Sequence, residues 1–242
     1  MPRRSSTTNL DAGSDPFLPG MQLAAHTHID TLFRAGSRVA YVDIETTGLG
    51  ARDGITVAAC LFDGSLRVFL RDRNLDELLP LLEQADLIAT FNGQSFDIPR
   101  IVDHFRIPKL RCAHLDLRVA CREAGWTGGL KDIEKKLSIG RPDDLRGVDG
   151  KEALLLWESW SILHDERARD RLLRYCAADV VALQHLARLL LVKAGLQPEA
   201  GLDWSILDQC APPVVAASIP IDHEESPLES RLRKFRHERI AR

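Results

Sequence analysis

The sequence predicts an α/β domain whose mixed sheet begins with an antiparallel meander, continues with parallel strands and is flanked by helices. Three runs of strand-like composition come first, at Val39–Glu45, Ile55–Phe62 and Leu66–Leu70. Short apolar segments then alternate with stretches of helical spacing. The strongest helical periodicity lies between Asp165 and Ala194, where apolar residues recur at steps of three and four.

The meander is predicted from its turn and from its first strand. An Asp63-Gly64 pair separates the second and third apolar runs, which is typical of a tight β-hairpin. The first run is apolar except for two acids, Asp43 and Glu45, and its apolar character favours a central position in the sheet. We therefore expect the meander to begin with a central strand that carries both acids.

The remaining elements are predicted from capping residues and periodicity. Asn74, with Glu77 three residues later, predicts a helix that opens with a capping box. The other predicted elements are strands at 86–91 and 114–117 and helices at 95–105, 130–137 and 151–160.

The chain length predicts one domain with extended ends. A chain of 242 residues can bury one sizeable core, which we assign to residues 21–195. Residues 1–20 are rich in Ser, Thr, Asp, Gly and Pro and are predicted to be disordered. Residues 196–242 are interpreted as a partly disordered extension with a short basic helix at 227–242.

Composition restricts the compartment and the class of function. The five cysteines form no Cys-X-X-Cys pair, and their number is odd, which favours a reduced, cytoplasmic protein. No apolar run approaches the roughly 20 residues that cross a bilayer, so we expect no membrane partner. The net charge of −3 argues against a basic nucleic-acid coat protein but not against a nuclease, since metal ions would offset acids at its site.

The first chemical motif is the acid pair of the first strand. Residues two apart on a strand share a face, so Asp43 and Glu45 project together while Val42 and Ile44 face the opposite side. Two acids on one face of a central strand are costly to bury unless they are paired or bind metal. The alternative is an edge strand with a solvated acidic face.

Two further motifs carry acids at helical positions. Asp97 follows a strand and a turn at Gly93, at a helix start, where free backbone N–H groups favour a carboxylate. Tyr175 and Asp179 are four residues apart on the long helix and share a face. Taken alone, Asp97 is more typical of a helix-start acid with no other role, and the Tyr175–Asp179 pair is more typical of the surface of an amphipathic helix.

Taken together, the three segments supply four carboxylates and one phenol. Converging acids repel one another unless cations lie between them, and carboxylate oxygens suit Mg²⁺ or Mn²⁺. The combination therefore predicts a divalent-metal site and phosphodiester hydrolysis.

The segments Asp43–Glu45, Asn92–Asp97 and Tyr175–Asp179 resemble, in order, the three motifs of the DEDD 3′–5′ exonuclease superfamily, which has a ribonuclease H-like fold. The tyrosine four residues before the last aspartate resembles the tyrosine (DEDDy) subgroup. The segments are also similar to the exonuclease domain of B-family DNA polymerases, and the spacing over residues 38–194 resembles YprB-type ribonuclease H-like proteins. Those proteins often carry histidine at the position of Tyr175, which leaves the pH dependence of the reaction open.

The resemblance implies a metal-dependent 3′–5′ exonuclease acting on single-stranded DNA or RNA 3′ ends by a two-metal mechanism. Tyr175 would orient the attacking water. The four acids Asp43, Glu45, Asp97 and Asp179 would hold two Mg²⁺ or Mn²⁺ ions. Substrate contacts are expected from Thr46, Leu49, Asn92, Phe96 and Lys131. A structure-specific endonuclease and a non-catalytic nucleic-acid-binding or interaction module are the alternatives.

Several weaker signals have two interpretations. The pair His26 and His28 is similar to that of metal-dependent amidohydrolases, but the chain is short for their barrel. Asp116 is expected to be structural or to support the ligands rather than to bind metal. A basic set is interpreted either as a flank for the nucleic-acid backbone or as a solvated helix face: Lys131, Lys135, Lys136 and Arg141.

Tryptophans and the basic C-terminal segment complete the candidates. Trp126 is placed to stack on bases, whereas Trp157 and Trp160 are three apart on an apolar helix and favour the core. The segment 227–242 is predicted to contact nucleic acid or a protein partner, or to be a soluble tail.

Overall fold

The computed structural model describes residues 38–50, 53–196 and 201–211, together with Leu32 and Arg34. Within these residues, five strands are formed: β1 (Val39–Thr46), β2 (Ile55–Phe62), β3 (Ser65–Leu70), β4 (Leu87–Thr90) and β5 (Ala113–Asp116). Six α-helices accompany them: α1 (Leu78–Leu82), α2 (Asp97–Phe105), α3 (Leu117–Glu123), α4 (Leu130–Lys136), α5 (Gly150–Leu163) and α6 (Glu166–Lys193). Short 3₁₀ helices span Leu75–Glu77, Asp143–Leu145 and Ser205–Gln209.

The strands form one mixed sheet in the order β3-β2-β1-β4-β5, with β1 at its centre. β2 pairs antiparallel with β1 and β3, whereas β4 pairs parallel with β1 and β5. In the β2–β3 turn, Asp63 and Gly64 have φ values of 51° and 71°, the two positive values that a type I′ hairpin turn needs. The predicted meander, the mixed sheet and the central acid-bearing strand are all confirmed.

Side chains that alternate along β1 divide the core into two layers. Tyr41 belongs to the larger layer, which lies between the sheet and α6 and also includes residues of α3, α4 and α5. Val42 and Ile44 belong to the other layer, which α1 and α2 cover. Asp43 and Glu45 are two and four residues after Tyr41, so they lie on the same face of the strand and point towards α6.

Helix α6 is the core helix of the domain. It begins after Asp165, whose carboxylate accepts hydrogen bonds from the backbone N–H groups of Arg167 and Ala168. By length and composition α6 is apolar enough to span a membrane, but 78% of its most apolar window is buried within the protein. Such burial is typical of a core helix. Every residue of the predicted apolar stripe is buried: Leu172, Cys176, Val180, Leu183, Ala187 and Leu190.

The predicted capping box at Asn74 is wrong. Its side chain makes no cap hydrogen bond; instead Oδ1 accepts from the Leu70 N–H at 2.8 Å and Nδ2 donates to the Val68 carbonyl at 3.1 Å. β3 is an edge strand, so its main-chain groups on the outer side compete with the helix start for this amide. The sequence also gave no indication of α3, whose N-terminus Asp116 caps by accepting from the Arg118 N–H at 3.0 Å.

Residues 201–211, which the sequence assigns to the C-terminal extension, pack on the domain through the buried side chain of Leu207. The predicted disordered segment 1–20, the pair His26 and His28, and the basic segment 227–242 lie outside the described residues.

Candidate metal centre

β1 delivers two acids to the face of the sheet that α6 covers. In the register with β2, Asp43 lies opposite Ala59 and Glu45 lies opposite Val57. The pairing shifts between Glu45 and Thr46, an irregularity of the kind that is frequent next to active sites. Both carboxylates are half-buried, so they line a cleft rather than a sealed core.

α6 brings the third acid to the same place. Tyr175 and Asp179 are buried one helical turn apart and lie on one face of the helix. Next to Tyr175, the thiol of Cys176 donates to the backbone carbonyl of Asp43 at 3.5 Å and to its Oδ2 at 3.7 Å. The helix therefore contacts β1 directly beside the acids.

Asp43, Glu45 and Asp179 each place one carboxylate oxygen within 4.8 Å of the other two, and we call these residues the acid cluster. Oxygen donors of this kind are the ligands that Mg²⁺ and Mn²⁺ prefer. The ion pairs formed here by described residues all fall on Asp179. Neither acid of β1 forms an ion pair with a described residue.

Asp97 lies beside the acid cluster but is not one of the three converging residues. It is the first residue of α2, and its Oδ1 accepts from the Ile44 N–H of β1 at 3.2 Å. A Cβ at Gly93 would lie 2.0 Å from the Thr90 hydroxyl, so only glycine permits the tight turn that leads from β4 to this helix. That Asp97 is a fourth ligand stays a prediction.

Burial and mutual repulsion favour the protonated forms of these acids. Burial raises the pKa of Glu45 to about 8, and the charge of Asp179 is the second cause. Burial also raises the pKa of Asp97 to about 7, although the hydrogen bonds from backbone N–H groups oppose the rise. The pKa of Asp43 lies well above its usual value because of burial first and the three neighbouring acids second. A bound cation would favour the charged forms of all of them.

Two basic side chains converge on Oδ1 of Asp179. The Lys131 Nζ lies 3.7 Å from this oxygen, and the Arg141 Nη2 donates to it directly. Arg141 also forms a bidentate pair with Glu134, in which Nε donates to Oε2 at 2.9 Å. The Arg141 side chain is only 9% exposed, and its Nη1 is buried without an acceptor.

The phenol of Tyr175 lies against the same basic residues. The Lys131 Nζ donates to Oη at 2.6 Å and lies 4.3 Å from the ring centroid. Burial, followed by the charges of the acid cluster, raises the pKa of Tyr175 well above its usual value. The phenol therefore stays protonated, and because its oxygen accepts from Lys131, its own hydrogen is available to another acceptor.

Three of the predicted substrate-binding residues share a cavity beside Glu45. Thr46, Leu49 and Phe96 line this cavity, which has a volume of about 380 Å³. Leu49 is 83% exposed, and the guanidinium of Arg100 donates to its carbonyl at 3.1 Å, which holds the loop after β1. The structure does not bring Asn92 to this cavity; it lines a separate groove.

The structure shows what holds three of the four basic residues that the sequence grouped together. Lys131 and Arg141 contact the acid cluster, and Lys136 donates to the Thr127 carbonyl at 2.6 Å. Lys131 and Arg141 therefore do not belong to a purely solvated face, and the flank for the nucleic-acid backbone stays a prediction.

The structure also describes Asp116 and the three tryptophans that the sequence singled out. The structural role of Asp116 is confirmed, since its carboxylate accepts from the Asn92 N–H at 2.8 Å and caps α3. Trp126 and Trp157 pack half-buried against the core. Trp160, by contrast, lies between two guanidinium groups, those of Arg73 and Arg169.

Sequence reasoning missed three features of the site: the pairing of Glu134 with Arg141, the approach of Arg141 to Asp179, and the contact of Cys176 with Asp43. The only local signal was Glu134, an acid beside Ile133 on the side of α4 that is buried. It predicts a buried ion pair only when α4 is known to pack towards α6.

Among solved structures, the family B DNA polymerase from the hyperthermophilic archaeon Pyrobaculum calidifontis aligns with a TM-score of 0.51 and 19% identity. The alignment covers 63% of this chain and 24% of the polymerase chain, so this protein spans about a quarter of that relative. The EXO domain of Nibbler from Aedes aegypti aligns with a TM-score of 0.40 and 14% identity, over 76% of this chain and 90% of that domain. At 19% identity, the likeness to the polymerase concerns the fold alone.

Comparison with curated protein sequences gives no match. A family model described as RNase H superfamily matches residues 40–191, which is more than half of the 242 residues. The match covers the whole sheet and all six helices up to the last turn of α6. It confirms the predicted ribonuclease H-like fold and supports a nuclease. The chain belongs to the RNase H superfamily.

Proposed function

We propose that this protein is a metal-dependent 3′–5′ exonuclease that hydrolyses phosphodiester bonds at single-stranded DNA or RNA 3′ ends. The observation that carries the proposal is the convergence of three carboxylate oxygens, from Asp43, Glu45 and Asp179, within 4.8 Å of one another. Tyr175 lies one turn from Asp179 and adds a group that can orient water. Family membership supports a nuclease in general; the end specificity is our proposal.

The donor set fits divalent cations. The acid cluster offers hard oxygen ligands, and Asp97 is near enough for its charge to raise the pKa of Asp43. We assign all four acids to two Mg²⁺ or Mn²⁺ ions. When bound, these ions supply Lewis-acid stabilisation of the charge that develops on the phosphate oxygens.

Tyr175 and Lys131 supply the part of the mechanism that depends on protons. A phenol with a raised pKa is a poor base at neutral pH, so Tyr175 positions the attacking water instead of deprotonating it. Lys131 donates to the Tyr175 oxygen at 2.6 Å, which fixes the phenol and directs its hydrogen elsewhere. The ammonium group also offsets negative charge when a phosphate approaches.

The terminal nucleotide is assigned to the cavity beside Glu45. Its volume of about 380 Å³ is within the range of small-ligand pockets, and Leu49 and Phe96 give it apolar walls. Leu49 is the most exposed large apolar side chain among the described residues, so covering it with a base removes apolar surface from water. The side chain of Thr46 completes the wall next to the acids.

The test is degradation of end-labelled DNA and RNA oligonucleotides with free or blocked 3′ ends, in Mn²⁺ or in EDTA. We expect a ladder of products one nucleotide apart from free 3′ ends only, and only with Mn²⁺. Asp43→Ala and Asp179→Ala should each lower the rate by roughly a thousandfold, because each removes several kcal/mol of transition-state stabilisation.

The matched control is Glu83→Ala, which removes an exposed acid that pairs with Arg111 away from the acid cluster. It should retain the wild-type rate, and circular dichroism should show that all variants are folded. Discrete internal cuts would favour the endonuclease alternative. Undiminished cleavage by folded Asp43→Ala protein would falsify the metal-site assignment.

A further inference from the structure

A second concave surface adjoins the metal centre. It is a groove of about 570 Å³ between the turn that follows β4 and the helix α3, and we call it the arginine groove. Its lining includes Asn92, Gln94, Ser95, Arg118, Arg122 and Trp126. Polar side chains thus form one wall, and two cations with an aromatic ring form the other.

The two arginines bring positive charge to the groove. Arg118 and Arg122 are four residues apart on α3 and therefore share a face. Arg118 donates to the side-chain oxygen of Asn92 at 2.7 Å, and no described residue forms an ion pair with either guanidinium. The one acid of the lining, Asp116, already accepts from the backbone N–H groups of Asn92, Gln94 and Arg118.

The chain connects the arginine groove to the metal centre at both of its walls. Asn92 begins the six-residue segment that ends at Asp97. On the other wall, Gly128 lies three residues before Lys131, which contacts Tyr175 and Asp179. Short chain segments therefore join both walls to residues of the metal centre, and the groove lies at the carboxyl ends of β4 and β5, which run parallel to β1.

We infer that the arginine groove binds the nucleotides immediately 5′ of the terminal nucleotide of a single-stranded substrate, with Arg118 and Arg122 on the backbone phosphates. Guanidinium groups suit phosphate oxygens because they donate from a planar fork. Trp126 packs half-buried against the core and has the Lys193 Nζ 5.6 Å from its ring centroid, and the part of the ring that lines the groove offers an aromatic surface for an unpaired base. The inference rests on the proposed exonuclease function and names the part of the substrate that the second surface holds.

The first test measures binding without cleavage. Fluorescence anisotropy of a labelled 12-nucleotide single strand is recorded with Ca²⁺ in place of Mn²⁺, for wild type and for Arg118→Ala with Arg122→Ala. We expect the double variant to bind roughly tenfold or more weakly. The slope of log affinity against log salt should fall in magnitude by about 1.4, which corresponds to two lost phosphate contacts on a single strand.

The control carries the same loss of charge on other surfaces. Arg67→Ala with Arg111→Ala removes two exposed arginines, one on the edge strand β3 and one that precedes β5 at the end opposite Asp116. This variant should keep the wild-type affinity and salt slope. Equal weakening in both double variants would show non-specific attraction only and would overturn the inference.

The second test uses substrate length. Rates on a dinucleotide and on the 12-nucleotide strand are compared in Mn²⁺, and the arginine variant should lose at least about tenfold more on the long substrate. An equal loss on both substrates overturns the inference. If wild type degrades neither substrate, the exonuclease proposal fails, while the anisotropy result still decides whether the arginine groove binds single strands.

Discussion

Two arginines with buried side chains lie on different sides of α6. Each pairs with two acids, but one set stabilises the fold and the other lies at the metal centre. Arg174 pairs with Asp144 and Asp208, a set that we call the clasp. Arg141 pairs with Glu134 and Asp179 at the metal centre. Residues 174 and 179 are five positions apart, so they lie roughly 140° apart around the helix.

Two of the three guanidinium nitrogens of Arg174 donate to groups of the protein in the clasp. The Arg174 Nε donates to Asp144 at 2.7 Å, and Nη1 donates to Asp208 at 3.0 Å and to the Ala211 carbonyl at 2.9 Å. These bonds tie the 3₁₀ helix at 143–145 and the segment 205–211 to α6. No polar atom of the Arg174 side chain is left buried without a partner.

The pairs at the metal centre are unbalanced. Asp179 attracts both Arg141 and Lys131 to one oxygen, while Asp43 and Glu45 attract no described cation into an ion pair. The Arg141 Nη1 is buried without an acceptor. The clasp has the pairing expected where charges serve only the stability of the fold. The metal centre keeps acids without ion pairs beside an arginine with an unbonded nitrogen, which is the pairing expected where a bound cation completes the site.

The largest expected effect is the loss of the clasp. Arg174→Ala should lower the free energy of unfolding by about 3–5 kcal/mol, because it leaves the buried carboxylate of Asp144 without its partner, whereas Asp208 is largely exposed and adds little. The measurement is urea denaturation followed by circular dichroism. The Mn²⁺-induced rise in Tm should be unchanged, since the clasp does not contact the acid cluster.

A compensated variant sharpens this prediction. Arg174→Met with Asp144→Leu removes the two buried charges of the clasp and leaves only the exposed Asp208, so it should recover most of the lost stability. If Arg174→Ala instead abolished the Mn²⁺ response while the protein remained folded, the separation between the two arginine sets would be wrong.

How far the sequence predicts these regions depends on the periodicity of each element. The acid pair of β1 and the Tyr175–Asp179 spacing could be predicted because periods of 2 and 3.6 residues fix side-chain direction locally. These local rules recover the antiparallel meander and the central acid-bearing strand. The order of β4 and β5 and the packing of α6 on β1 were not predicted, because they depend on contacts between distant segments.

Contacts that join distant segments could not be predicted in this way. Arg141 reaches Asp179 across 38 positions from a loop whose path depends on how α4 packs. The prediction of a capping box at Asn74 was wrong for a related reason. The Asn74 side chain bonds to free main-chain groups of β3 instead of to the helix start. Asp97 was predicted at the start of its helix, but its bond to the Ile44 N–H depends on the approach of α2 to β1.

The second expected effect is a pH dependence that belongs to the metal centre. In the folded protein, Glu45 has a pKa of about 8 and Asp97 of about 7, against ordinary values of 4.5 and 3.8. Between these values the folded state holds protons that the unfolded chain has released, so stability falls as pH rises. In EDTA we expect Tm to fall by more than about 10 °C from about pH 5 to about pH 8, because each held proton costs about 1.4 kcal/mol per pH unit.

Cation binding should remove this trend, because Mn²⁺ stabilises the deprotonated acids at the upper end of the range. Asp43→Asn should flatten the slope in EDTA by relieving repulsion, whereas Asp103→Asn, which changes an exposed acid on α2, should leave it unchanged. A Tm in EDTA that rises over this interval for wild type would contradict the raised pKa values.

The smallest expected effect tests most directly whether Arg141 and Arg174 have different roles. Glu134→Gln with Arg141→Gln replaces the buried ion pair by neutral groups and removes a dipole whose positive end lies on Asp179. We expect Mn²⁺ affinity to rise by about tenfold, or ~1.4 kcal/mol, because a competing cation leaves the ligand. We expect kcat to fall by at least about tenfold, because the carboxylate loses the bond that orients it.

The opposite signs of these two changes distinguish a positioning role from a merely structural one. Calorimetric titration with Mn²⁺ gives the affinity, and single-turnover degradation of a labelled oligonucleotide gives the rate. The matched clasp variant, Asp144→Asn with Arg174→Gln, should change neither quantity although it lowers Tm. If Mn²⁺ affinity and kcat fell together in the metal-centre variant, Arg141 would orient Asp179 without competing with Mn²⁺ for it. The uneven pairing of charges at the metal centre would then come from Asp43 and Glu45 alone.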